Sequence, residues 1–261
     1  MATKVVCLTN PLLQRYRRIA DSMYEGIRRH GDSAVIADVR RTAPNGDVGI
    51  VWGWKCRDVL AGFPKFAYAD MGYWNRGEYF RFTVGGWSPD SYVKQGRKFL
   101  RFKNLGIKIQ PWKDGDEIVI AGSSRKACRD HGFEYMQWET EMARRLSGHK
   151  VAYRPKPRDL EARPISGTRF DCGPIEDTLS TARVIVTHHS NTAIDALVAG
   201  VPVYCETGAA AAFSIKLHEI TNPPRLEGRG QFLADVAWLQ WTHKEMESGE
   251  CWAYLKEQMC L

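Results

Sequence analysis

Residues Ala182 to Glu206 read ARVIVTHHSNTAIDALVAGVPVYCE, and this tract decides the fold class. The spacing predicts a buried strand at Val184–Thr187, a polar turn at His188–Asn191 and a helix at Thr192–Ala199, stopped by Gly200. A second buried strand follows at Val201–Cys205. Short β-branched runs without polar alternation are typical of parallel strands covered on both faces. A polar turn between such a strand and a helix start points unpaired N–H groups outward, with the positive helix end behind them. In α/β proteins that arrangement holds phosphate. Ser190, Asn191 and Thr192 add small hydrogen-bonding side chains there, so the turn is the expected seat of a nucleotide-linked ligand.

The same alternation extends upstream. Strands are expected at Lys4–Leu8, Ser33–Ala37, Asp47–Trp54 and Lys65–Ala69, with helices at Tyr16–His30 and Arg57–Ala61. From Met71 to Gln110 the chain turns aromatic and Gly-rich and reads as an irregular excursion with a long loop. A second series starts near Asp116, with strands at Glu117–Ala121 and Lys150–Arg154 and helices at Glu134–Leu146 and Ile175–Ala182. The tail reads as a Trp-rich helix at Phe232–Trp241 and a last helix from Glu250. Two strand–helix series predict an α/β protein with two Rossmann-like halves facing a cleft, the GT-B plan. The expected division is 1–112 for the first half and 113–261 for the second.

Composition narrows the class. The 261 residues are 44% hydrophobic, enough for a substantial core, and carry a formal net charge of +7. Basic clusters at Arg15–Arg18, Arg28–Arg29, Arg40–Arg41, Lys94–Lys103 and Arg144–Arg145 suit a polyanion, or equally an ordinary solvated helix face. No apolar run approaches the ~20 residues that span a bilayer. The first residues show no signal-peptide pattern, and the 7 cysteines are scattered with no CxxC. A cytoplasmic protein with no membrane partner is expected, its oligomeric state unreadable.

The runs IVIAG, VAYRPKP and IEDTLSTARVIVTHHSNTAIDALVAGVPVYCE together resemble the donor-binding half of GT-B glycosyltransferases. The likeness is to capsule-polysaccharide and Kdo-type transferases, which join a basic Pro element to a Ser/Thr-rich turn, and it covers Glu117–Glu206. The resemblance implies that the turn hydroxyls hold donor phosphates, that Asp195 bonds a ribose hydroxyl and that no essential metal is used. In those families a histidine often precedes the second proline; here the residue is Lys156. DMGYWNRG, TVGGWSP and QWTHKEMESGECW also resemble bacteriophage-encoded glycosyltransferase-like proteins, over nearly the whole chain. That implies a phage enzyme in the host cytoplasm. With the charge, it points to double-stranded DNA as partner and a hydroxymethylated pyrimidine as acceptor.

The donor-binding candidates are Ser123, Arg125, Arg154, Lys156, His188, Ser190, Asn191, Thr192 and Asp195. Ser123 and Arg125 lie in the loop after a strand, where hydroxyls and cations cradle phosphate; Arg154 and Lys156 leave the next strand. His188 and His189 are expected to point to opposite sides, as neighbours on a strand do, and so not to share a metal. Asp114-Gly-Asp116 matches a D-x-D metal pattern but sits where a tight turn explains it better. Asp70, at a strand's C-terminal end, is the candidate catalytic base, with Glu78 and Asp90 as weaker substitutes. Acceptor contacts are expected from Lys55, Trp74, Arg76 and Trp87. No cofactor is expected, only a nucleotide-sugar co-substrate, UDP-linked by preference. The rival readings are a nucleotide-sugar hydrolase or epimerase-like enzyme, and a non-catalytic nucleic-acid or nucleotide-binding protein of the same fold.

Overall fold

Lys4–Thr9 (KVVCLT) forms β1, buried along its last five residues because it lies inside a sheet, flanked by β2 (Ser33–Asp38) and β3 (Val48–Trp52). The computed structural model describes residues 2–41, 45–53, 57–86 and 96–261. Lys55, Trp87 and Asp90 lie outside the described residues. The chain divides into two compact units, Met1–Pro89 with Ala237–Leu261, and Asp90–Val236.

In the first unit, β1, β2, β3 and β4 (Lys65–Met71) run parallel. Helix α1 (Gln14–Arg29) buries Ile19, Ala20, Met23 and Ile27 and leaves Arg15, Arg17, Arg18, Arg28 and Arg29 exposed, the pattern of a helix lying on a core. A short helix, α2 (Arg57–Leu60), follows β3, and its Leu60 joins Val6, Leu8, Val51, Phe63 and Tyr68 in one apolar cluster. The excursion after Met71 is more regular than its composition predicts. Tyr79–Val84 forms β5, antiparallel to β4, with Phe80, Arg81, Phe82 and Thr83 buried.

The tail also departs from the expected pattern. The helix expected at Phe232–Trp241 ends at Ala237, and Gln240–Thr242 becomes a strand antiparallel to β5. Buried Gln240 explains the turnover: its Oε1 accepts the N–H groups of Tyr73 (2.8 Å) and Trp74 (3.1 Å), satisfying a loop that would otherwise bury bare donors. The chain closes with two more helices, His243–Ser248 and Glu250–Met259. Residues 237–261, read from sequence with the second half, thus complete the first sheet and belong to its unit.

The second unit begins with α3 (Leu100–Asn104) and is built on a five-stranded parallel sheet. In chain order the strands are β6 (Glu117–Ala121), β7 (Val151–Arg154), β8 (Arg169–Phe170), β9 (Ala182–Thr187) and β10 (Val203–Cys205). They are arranged β10-β9-β6-β7-β8. Between them lie α4 (Arg125–Asp130), α5 (Gln137–Arg145), α6 (Ile175–Thr181) and α7 (Thr192–Val198). Helix α8 (Arg229–Ala237) leads out of the unit. Ile118, Ile120, Val151, Tyr153, Val184 and Val186 pack with Met142 and Leu146 of the α5 segment into the core. Each fully buried side chain of this size contributes about 1.5–3 kcal/mol. Gly200 ends the α7 segment with φ +81°, and a Cβ there would meet the Pro111 carbonyl oxygen at 1.9 Å, so only glycine fits. With α9 and α10 denoting the two closing helices, the strand–turn–helix–strand order read from the opening tract is the observed one.

Candidate functional site

The carboxyl ends of β6, β7, β9 and β10 all point the same way, because the sheet is parallel. The segments that leave them therefore gather along one edge. Pro155 and Lys156 follow β7, and His188 to Asn191 follow β9. There the Lys156 Nζ donates to Ser190 Oγ at 2.6 Å, and Ser190 Oγ lies 3.0 Å from Thr192 Oγ1. Three of the expected donor-binding residues thus form one cationic, hydroxyl-bearing cluster.

The backbone of the turn differs from the expectation of outward, unpaired N–H groups. The Ser190 N–H donates to Thr187 Oγ1 (3.2 Å) and that of Thr192 to Ser190 Oγ (3.3 Å). Ala193 donates to the Ser190 carbonyl, and Ile194 and Asp195 to that of Asn191. The Ser/Thr side chains and a tight turn have satisfied the helix start from within. What this edge offers an anion is the Lys156 ammonium and the two hydroxyls. Asn191 stands at the N-cap of α7 without a side-chain capping bond, and Asp195 sits in the first turn.

Other expected donor contacts are occupied in different ways. Arg154 is buried, and its Nη1 donates to Thr178 Oγ1 (2.8 Å) and the Gly173 carbonyl (2.8 Å), with Asp171 Oδ2 at 3.3 Å. Those partners come from the β8–α6 segment, so the guanidinium serves an internal network instead of the edge. Arg125 pairs with Glu161 and lies 4.7 Å above the Tyr135 ring. Ser124 Oγ caps α4 through the Ala127 N–H. Buried Ser123 gives its N–H to Glu139 Oε1 at 2.6 Å. Burial pushes the Glu139 carboxyl up, while its bonds to Ser123 and the charge of Lys156 pull against this. Glu139 was not expected from sequence. The signal was present: an acid among Tyr135, Met142 and Leu146, at helical spacing on the inward face.

His188 and His189 do not diverge. They lie beyond the last strand residue, where alternation no longer applies, and their Nδ1 atoms are 2.9 Å apart. His131, the C-cap of α4, stacks on His189 with ring centroids 4.5 Å apart and meets His188 edge-on at 4.5 Å. Burial and then neighbouring His188 push His131 down to about 4, and burial lowers His188 as well.

The D-x-D pair has other partners: Asp114 pairs with Arg225 and Asp116 with Lys150 (2.7 Å). A cavity of about 670 Å³, lined in part by Lys113, Asp114, Arg183 and Arg225, opens there at the amino ends of β6 and β9, the far edge from Lys156.

In the first unit, Asp70 sits near the end of β4 and is held closely. Its Oδ2 accepts the Tyr68 hydroxyl (2.7 Å) and faces Arg81 Nη2 (3.4 Å), while Oδ1 accepts the Met71 N–H (2.7 Å). Burial and then the Asp70 charge push the Tyr68 phenol above its usual range, so it stays a donor. Trp74, expected to stack on an acceptor, is buried at 8% exposure. Arg76 is exposed, with its Nε on the Tyr73 carbonyl, and Glu78 is exposed nearby. Several basic clusters have local acidic partners: Arg17 with Asp21, Arg40 with Asp38, and Arg144 and Arg145 with Glu141. Among the described residues, no helix is long and apolar enough to cross a membrane.

Fold and edge together define a mixed α/β chain with two sheets of mainly parallel strands, a class in which ligands bind beyond the strands' carboxyl ends. The sequence matches no family model and no curated protein. Among solved structures, the chain is similar to the KpsC β-Kdo 2,7 transferase of Thermosulfurimonas dismutans, with a TM-score of 0.56 and 14% identity over 100% of this chain and 99% of that one. It is also similar to the KpsC β-Kdo 2,4 transferase of the same organism, with a TM-score of 0.52 and 13% identity over 90% of each chain. At these identities the likeness is one of fold.

Proposed function

We propose that this chain is a glycosyltransferase of GT-B arrangement that takes a nucleotide-linked sugar at the carboxyl edge of its second sheet. The observation that carries the reading is the convergence of Lys156, Ser190 and Thr192 from two strand ends. It is supported by a fold held in common, along the whole chain, with a protein described as a Kdo transferase. The ammonium and hydroxyls would bind the donor phosphate and offset the charge that grows on it as the sugar leaves. In the reaction, an acceptor oxygen forms a bond to the anomeric carbon and the bond from that carbon to the nucleotide phosphate oxygen breaks. The phosphate keeps the electron pair, and the acceptor proton passes to a general base, for which Asp70 is the first unit's candidate. Arg81 and Tyr68 hold that carboxylate in place. A hydroxymethylated pyrimidine in DNA is the acceptor the net charge of +7 favours.

A donor screen tests this reading. The protein is incubated with UDP-, GDP-, ADP- and CMP-linked sugars, Kdo among them, with glycan acceptors, with hydroxymethylated DNA or with neither. Nucleotide release that requires an acceptor, with the sugar recovered on it, is the expected result. Release without acceptor would point to a hydrolase. Neither turnover nor binding of any donor would overturn the transferase reading and favour a binding protein.

A further inference from the structure

The three histidines at the ends of α4 and β9 converge in a way that packing alone does not require. Each of His131, His188 and His189 presents a ring nitrogen, and these nitrogens all lie within 4.8 Å of one another. We infer that they form a binding site for one divalent transition-metal ion of the zinc class, independent of the transferase reading.

The distances suit such an ion. Imidazole nitrogens bind zinc at about 2.1 Å, which places two ligands about 3.0 Å apart at a right angle and about 3.4 Å apart in a tetrahedron. The Nδ1 atoms of His188 and His189 are 2.9 Å apart. A bare hydrogen bond would explain that pair, but it leaves unexplained why His131, 57 positions or more away in sequence, brings a ring nitrogen within 4.8 Å of both. Coordination of one ion would require the half-buried rings to draw their nitrogens closer than the 4.8 Å within which they now lie.

Backbone hydrogen bonds tie down the segments that carry the rings. The His131 N–H closes α4 on the Ala127 carbonyl (3.0 Å), and the His188 carbonyl accepts the Thr207 N–H (2.8 Å), tying the exits of β9 and β10 together. Phe133 lies 4.9 Å and Trp138 5.8 Å from the His188 ring, giving the site apolar walls. Glu206, just past β10, acts electrostatically on both His131 and His188, and Trp138 Nε1 fixes its carboxylate through a 2.6 Å bond. An oriented carboxylate beside metal-binding imidazoles is the usual outer partner, or the fourth ligand. An imidazole-rich set selects zinc, cobalt, nickel or copper over magnesium and calcium, which need oxygen.

The test uses the full chain, stripped with a chelator and titrated with cobalt(II), whose visible absorption reports coordination, and then with zinc in competition. One cobalt per chain, displaced by zinc, is expected. Affinity should fall at least about tenfold in His131→Ala and in His189→Ala, and less in Glu206→Gln, with the metal-free fold checked by circular dichroism. Exposed His30→Ala serves as a control and should bind as the wild type does. In the wild-type chain, imidazole nitrogen resonances ask the same question without any substitution: zinc should shift those of His131, His188 and His189. The proposal is overturned if no stoichiometric binding occurs, if His131→Ala binds equally well, or if those three resonances stay in place.

Discussion

Lys156 and Ser190 lie 34 positions apart in sequence and follow different strands, yet the ammonium of one rests 2.6 Å from the hydroxyl of the other. Parallel pairing of β6 with both β7 and β9 brings them to the same edge. The arrangement concentrates one cation and two hydroxyls at the edge, and the Lys156 charge also reaches the buried Glu139 carboxyl.

Replacing that cation should weaken donor binding without unfolding the chain. A charge-assisted hydrogen bond is worth about 1.5–3 kcal/mol, so Lys156→Ala should raise the Kd for the donor nucleotide by about 10- to 100-fold. Titration calorimetry reads this directly. An unchanged Kd would remove Lys156 from the site.

Arg154, two residues earlier, should behave in the opposite manner. Its Nη1 supports Thr178 and Gly173 beside the Asp171 carboxylate, and Thr178 in turn donates to Asp171 at 2.5 Å. Arg154→Met should therefore lower stability by about 3 kcal/mol, since it strips a cation from a buried acid. Urea unfolding should register that loss, while the folded fraction binds nucleotide nearly as before.

Asp32 should give the first unit an acid-sensitive fastening. It accepts the Thr3 N–H (2.9 Å), Trp252 Nε1 (2.8 Å) and Lys256 Nζ (2.8 Å). Burial raises this carboxyl, but the bonds from Lys256, Trp252 and Thr3 more than reverse it, leaving it below its ordinary 3.8. A carboxyl depressed in the fold stabilises above its unfolded pKa and loses that contribution as pH falls through the folded value. The Tm difference between wild type and Asp32→Asn should thus be full at about pH 7, shrink as pH falls below the ordinary 3.8, and vanish once pH passes below the depressed folded value.

Gly26 should tolerate no side chain. A Cβ on it would lie 1.7 Å from the Met246 carbonyl oxygen and 3.1 Å from the Gly249 Cα, where α1 and α9 meet. Gly26→Ala should cost about 3 kcal/mol by forcing the helices apart. Thermal unfolding of the variant measures it.

Much of this was legible in the chain. Glu117–Ala121 was read at its observed bounds, and the turn after Thr187 was placed with its helix, because continuous apolar runs ended by polar turns are a local signal. Local pattern also marks Lys156, Ser190 and Thr192, which the fold brings together. What was missed depends on partners far away. Gln240–Thr242 continues a helical spacing and is a strand only because Tyr79–Arg81 pairs with it. Arg154 looks like an edge cation until Asp171 and Thr178 fold over it. The α4 helix, RKACRD, is too short for periodicity, so nothing local in the sequence sets His131 at its end beside His188.

The return of residues 237–261 to the first sheet bears on the order in which the protein is made. The second unit is one continuous stretch, so all of its strands leave the ribosome before the last helices are synthesised. The first unit has an edge strand and the partner of α1 encoded after the whole of the second unit. It waits, with β5 unpaired on one side and the Gly26 face of α1 open, through synthesis of the entire second unit. Until then the outer edge of β5 has no paired strand, and an unpaired strand edge is a site where other chains can add.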